Sequence, residues 1–280
     1  MKFRKSIINA GRFKHIKVYP VTNNGRQRQR RAKSKASRPC QSELNRRNRA
    51  TELSYLIEEN AEHFTKLYTL SYPKESRPND FEVLKKDWAN FLKRLKSNLK
   101  KLGIPSFHWV KALELAGADN YHIHLLCALP VKVVRAAWLY PGMVHAENFS
   151  LSPQSGGTDI AHYFYGEKGV HSNHKQPCKR AVTHSRGLKK PDIEVVEISR
   201  AKVEKLLRNG EWENGEMWKG KEEGYNFVSA MPVFNEFFCC FGLSATLYQI
   251  APCFVRRKSI TALYNAAAAN QHTHSQRLRV

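Results

Sequence analysis

The residues best equipped for chemistry are His122 and His124 in Tyr121–Leu129, a run with the alternation of a β-strand. Side chains two apart on a strand point to the same face, so both imidazoles share a side with Leu126 and Ala128. The preceding run, Ser106 to Leu115, alternates as well. Phe107, Trp109, Leu113 and Leu115 take one side, and His108, Val110, Ala112 and Glu114 the other. Ala116-Gly117-Ala118-Asp119-Asn120 between them is a turn-rich linker. A hairpin centred on Ala118 sets Glu114 opposite His122, with Cβ atoms about 5 Å apart. Two imidazoles and a carboxylate on one sheet face are the ligand set of a divalent metal with open coordination positions. A His-x-His pair alone is weak. The plain alternative is two half-buried histidines hydrogen-bonded to Glu114.

A nucleophile is available downstream. Thr158-Asp159-Ile160-Ala161-His162-Tyr163-Phe164-Tyr165-Gly166-Glu167-Lys168-Gly169 has a capping residue at its start and a glycine at its end, the pattern of a short helix. Tyr165 and Lys168, three apart, share a helix side. A metal can polarise a scissile phosphate while a phenolate attacks it, and a lysine can stabilise the developing charge. The two tyrosines are two apart and diverge by about 200° on a regular helix, so they cannot both address one metal. Lys168 favours Tyr165 by a small margin over Tyr163, which has the apolar neighbours Ile160 and Phe164. Ordinary aromatic packing is the competing explanation.

The elements around these residues are legible in the same way. Leu84, Trp88, Phe91, Leu92, Leu95, Leu99 and Leu102 fall at helical spacing, Asn79 or Asp80 can cap that helix, and Gly103 and Pro105 end it. Its outer face carries Lys85, Lys86, Lys93, Arg94, Lys96, Lys100 and Lys101. That is either a solvated face or a surface that tracks phosphates. Residues 43–62 have a helical pattern and Phe64–Tyr72 that of a strand. The chain of 280 residues holds 47 Lys and Arg against 24 Asp and Glu, a net charge of +23, which points to a polyanionic partner. Residues 1–50 hold sixteen of the cations and one acid, Glu43, and the run Arg26–Arg38 within them reads as a solvated arm, either a solubility tail or targeting patch or an arm that binds phosphate through counterion release. Val233–Val255 is largely apolar, but Glu236, Gln249 and Pro252 argue for buried core over a membrane span. His171, His174, Cys178 and His184 do not have the spacing of a zinc finger. Six irregularly placed cysteines and the lack of an apolar leader fit a reducing cytoplasm.

The strand–turn–strand with His122-Ile123-His124, followed by a tyrosine helix with Tyr-x-x-Lys, resembles the HUH endonucleases. Within them it is most similar to the rolling-circle replication initiators of filamentous and related single-stranded DNA phages and small plasmids. Arg46-Arg47-Asn48-Arg49, the segment Trp88–Leu95 and Ser185-Arg186-Gly187-Leu188-Lys189-Lys190-Pro191 also resemble that group. The resemblance spans roughly residues 45–195. It departs from the family at the tyrosines, where many relatives carry Tyr-x-x-Lys-Tyr or two tyrosines four apart.

The resemblance implies that His122, His124 and Glu114 bind Mg²⁺ or Mn²⁺, and that Tyr165 or Tyr163, aided by Lys168, nicks single-stranded DNA at an origin. The 5′ phosphate stays on the tyrosine and the free 3′ hydroxyl primes synthesis. No Walker motif is present, so unwinding falls to a host helicase, working with a host polymerase in the cytoplasm of a bacterial cell. The expected fold is α+β, an antiparallel sheet of about five strands with helices on one face and the metal site on the other. The expected divisions are a basic arm (1–44), an endonuclease domain (45–200) and a small C-terminal appendage (201–280). Alternatives are an HUH transposase or relaxase, a non-enzymatic basic DNA-binding protein, or an inactive prophage relic.

Overall fold

The structure is a computed structural model that describes residues 2–21, 39–104, 106–116, 120–165, 174–175, 181–213, 224–236 and 238–249. In chain order the elements begin with β1 (Lys2–Ala10), β2 (Phe13–Val21), α1 (Pro39–Glu59), β3 (Lys66–Leu70), α2 (Phe81–Lys101), β4 (Trp109–Ala116) and β5 (Asn120–Cys127). Then come α3 (Val131–Ala137), β6 (Val144–Asn148), α4 (Thr158–Tyr165), β7 (His174–Lys175), β8 (Val182–His184) and β9 (Asp192–Ile198). The last are α5 (Arg200–Arg208), β10 (Tyr225–Asn235) and β11 (Cys240–Gln249). The fold is α+β with two antiparallel sheets, one in each of two compact units. No helix among the described residues is long and apolar enough to cross a membrane.

The first unit comprises residues 1–59, 151–158 and 189–254, around a sheet ordered β10-β11-β2-β1-β9. This corrects two expectations. Residues 2–21 form a hairpin, with Lys2 paired to Val21 and Ala10 to Phe13. Its buried residues recur at every second position, Ser6, Ile8 and Ala10 in β1 and Ile16, Val18 and Pro20 in β2, so a high charge count concealed a strand period. The run Arg26–Arg38 lies outside the described residues. The C-terminal strands are not a separate appendage, because β11 pairs with β2 from Leu243↔Val18 to Tyr248↔Phe13. A Cβ at Gly242 would run into the Val18 carbonyl, so only glycine allows β11 to approach there.

The core of this unit gathers Phe3, Ile16, Val18, Val203, Leu243, Ala245 and Leu247. α1 joins the sheet through a buried polar contact. Glu58 meets His15 Nε2 at 2.6 Å and accepts the Gly157 N–H at 2.9 Å. The expectation of buried core across Val233–Val255 fails in β10, where Val233 and Phe234 are exposed. β10 is an edge strand, with β11 on one side only. Leu44 of α1 is also exposed.

The second unit comprises the described residues of 60–150 and 159–188, so the unit that carries the His-x-His hairpin does not include α1, which the 45–200 division placed with it. Its sheet has six strands, β6-β3-β5-β4-β7 with β8 also on β4. α2 forms where expected. Asp80, not Asn79, is the N-cap, its side chain accepting the Val83 N–H at 2.9 Å. At the other end Gly103 takes φ 70°, Gly103 N–H bonds to Lys100 and Ile104 N–H to Leu99, a Schellman ending. Leu84, Trp88, Phe91, Leu95 and Leu99 are buried against Tyr68, Leu70, Leu113, Ile123, Leu125 and Cys127, with α3 completing that layer. The opposite side of the sheet carries the candidate site and, contrary to expectation, a helix as well: α4.

Candidate metal and nucleophile site

The β4–β5 hairpin fixes the site. Its register runs from Trp109↔Cys127 to Ala116↔Asn120 and sets Glu114 opposite His122, the pairing expected from a turn centred on Ala118. Since Leu113, Ile123 and Leu125 face the α2 core, strand parity turns Ala112, Glu114, His122 and His124 to the other side. β5 is an inner strand, with β4 on one side and β3 on the other, where Thr69 pairs with His124. β6 continues the row with His145 opposite Thr69 and Glu147 opposite Leu67.

His124 is the centre of the arrangement and only 4% exposed. Its Nδ1 meets Thr69 Oγ1 at 3.2 Å. Its Nε2 contacts Glu114 Oε2 and lies 3.2 Å from Tyr163 Oη. The Tyr163 ring stands edge-on to the imidazole at 5.0 Å, and the Phe164 ring stacks at 6.3 Å. Ile160, Ala161 and Phe164 are buried and anchor α4 against the sheet face. Burial, then the fields of Glu114 and Glu147, push the Tyr163 hydroxyl up to about 12. The phenol therefore stays neutral near pH 7 and must lose its proton during any attack.

Of the residues singled out in the sequence, the structure brings together His124, Glu114 and Tyr163. His122 is the register partner of Glu114, with its ring centroid 6.4 Å from that of His124. Tyr165, two residues past Tyr163, is turned about 200° around the helix from the face that meets His124. Lys168 lies outside the described residues, as do His171 and Cys178 of the zinc candidate. Thr69, His145 and Glu147 were missed. Thr69 sits in a strand that the sequence identifies, but the pairing of β3 with β5 has no local signal. His145 and Glu147 form a His-x-Glu pair, 3.0 Å apart, on the five-residue β6.

An imidazole nitrogen, a carboxylate oxygen and a phenol oxygen converge on one point, with a second imidazole beside the carboxylate. A single N–H at Nε2 cannot fully serve both oxygens, whereas a divalent cation takes this donor chemistry readily. The residues fit such an ion by type. As the side chains lie, the pair is hydrogen-bonded, and among the described residues no three His, Cys, Asp or Glu are gathered closely enough to hold a metal.

Comparison of the chain with models of protein families, with curated proteins and with solved structures gives no match.

Proposed function

We propose that the chain is a divalent-metal-dependent endonuclease that nicks single-stranded DNA through a tyrosine nucleophile, as the HUH initiators of rolling-circle replication do. The observation that carries this reading is Tyr163 Oη at 3.2 Å from His124 Nε2, on the sheet face where Glu114 pairs with His122. Tyr163 is the nucleophile in this account, in place of the narrowly favoured Tyr165. His122, His124 and Glu114 would hold Mg²⁺ or Mn²⁺, which when bound polarises the scissile phosphate.

The chain's own residues do the rest. Phe164 and Ile160 seat α4 so that Tyr163 faces the imidazole. Thr69 fixes the His124 ring from its Nδ1 side. The Tyr163 oxygen attacks phosphorus, giving up its proton as the O–P bond forms. The bond to the 3′ oxygen breaks, that oxygen takes up a proton, and the 5′ phosphate remains on Tyr163. The partners in this reading are a single-stranded replication origin and a host helicase and polymerase, in the cytoplasm of a bacterial cell. The net charge of +23 supplies non-specific affinity for the strand.

The direct contact of His124 with Glu114 favours a second reading, a basic DNA-binding protein in which this pair only ties two strands together. Incubating the protein with single-stranded DNA from the flanking genome, with Mn²⁺ or with EDTA, separates the two. Nicking that needs Mn²⁺ and is lost in His122→Ala and Tyr163→Phe supports the endonuclease. Salt-sensitive binding without cleavage, unchanged in those variants, supports the binding protein.

A further inference from the structure

The ending of α2 creates a second feature, on the sheet face away from Tyr163. A cleft of about 930 Å³ opens between the last turns of α2, residues 103, 104, 106, 107 and 109, and residues 184–186. Leu99, Ile104, Phe107 and Trp109 line its apolar part. The first three are buried, and Trp109 is half-buried with its ring edge-on to Trp88 at 5.1 Å. Lys96, Lys100, Arg186 and His184 line the remainder, all four exposed, and the lining contains no Asp or Glu.

Local structure does not account for this charge. Lys96 and Lys100 are four apart on one helix face, a spacing at which like charges destabilise a helix. Lys100 gains something from the helix C-terminus, but Lys96 precedes the last turn and Arg186 belongs to another segment. Three cations converging on an aromatic floor suit a ligand that carries both an anion and a flat apolar ring. A nucleotide has that composition. A duplex hides its base faces by stacking, so a single strand is the form that presents them.

We propose that this cleft binds a nucleotide of single-stranded nucleic acid, its phosphates held by Lys96, Lys100 and Arg186 and its base against Phe107 and Trp109. The cleft assigns a role to the basic face of α2. It does not depend on Tyr163 being a nucleophile.

The full chain also has basic residues elsewhere, so overall affinity cannot identify the cleft and the position of contact must. A 12-residue oligo(dT) with 5-iododeoxyuridine at its centre, irradiated with the protein, cross-links to aromatic side chains that touch the base. The expected product is a peptide cross-linked at Phe107 or Trp109. In Lys96→Glu/Lys100→Glu/Arg186→Glu its yield falls at least about tenfold, and the slope of log affinity against log salt falls by about 2. The three side chains are exposed, so circular dichroism and melting should match the parent. Arg186→Glu alone, expected to lower the yield severalfold, replaces the triple variant if that does not fold. Three outcomes overturn the proposal: cross-links only outside residues 99–109, a yield unchanged by the charge reversals, or displacement by polyglutamate as efficient as by unlabelled oligo(dT) at equal charge. A Tyr163→Phe protein that cannot nick should still give the cross-link, so the cleft and the nickase can fail separately.

Discussion

Replacing Thr69 by valine tests whether His124 is held for metal binding. Thr69 Oγ1 lies 3.2 Å from His124 Nδ1, and valine keeps both the shape and the β-branching suited to an inner strand. No cavity is made, so the cost is electrostatic. The bond is long, which puts its net value near the low end of about 0.5–1.5 kcal/mol. Against this, His124 is 4% exposed, so its Nδ1 would lose a partner in a place water barely reaches, at about 1–3 kcal/mol. The fall in stability should be roughly 1–2 kcal/mol, or about 3–8 °C in melting temperature. The functional effect should be larger. Groups that orient a ligating histidine are worth about 10–100-fold in metal affinity. Calorimetric titration of the full chain with MnCl₂ reads that effect, with thermal unfolding as the control. Mn²⁺ binding within about twofold of the parent, despite a lowered melting temperature, would mean that Thr69 only packs the sheet. An absence of Mn²⁺ binding in both proteins would refute the metal assignment of His124 itself.

Glu58→Ala leaves His15 and the Gly157 N–H without their carboxylate and should cost about 3–5 kcal/mol in denaturant unfolding, whereas a loss under 1 kcal/mol would contradict the account of how α1 is held. Leu95→Ala, at a fully buried position on α2, should cost about 2–5 kcal/mol in the same assay. Because the folded Tyr163 pKa is raised, its contribution to stability is present below the ordinary tyrosine value near 10 and lost as pH climbs towards about 12. Tyr163→Phe should therefore reduce the alkaline loss of stability, read as melting temperature against pH. Glu147→Gln removes one of the two carboxylate fields on that phenol, so Tyr163 should ionise at lower pH in an ultraviolet difference titration against Tyr163→Phe.

The local parts of the site were legible because they rest on short-range geometry. The period of two in Ser106–Leu129 and the turn residues between fixed the Glu114↔His122 register, and helical spacing gave the buried face of α2. The long-range parts were not. β1 and β2 carry their buried residues at alternate positions among lysines and arginines, and the net charge outweighed that pattern. Their neighbours in the sheet are β9 and β11, about 180 and 230 positions further along the chain, and no local pattern encodes such a pairing. Which tyrosine faces the sheet was not legible for a related reason. Lys168 is a neighbour of Tyr165 in sequence, but which side of α4 meets the sheet is decided by the burial of Ile160, Ala161 and Phe164. Those residues turn Tyr163 to His124.

The most direct test of the central claim is the mass of the covalent product. The protein is incubated with single-stranded DNA from the flanking genome and Mn²⁺, digested with nuclease and protease, and its peptides are sequenced by mass spectrometry. The account predicts a 5′-phosphonucleotide on Tyr163, absent with EDTA and in Tyr163→Phe, and unaffected by Tyr165→Phe. An adduct on Tyr165, or cleaved DNA with no tyrosine adduct, would contradict it.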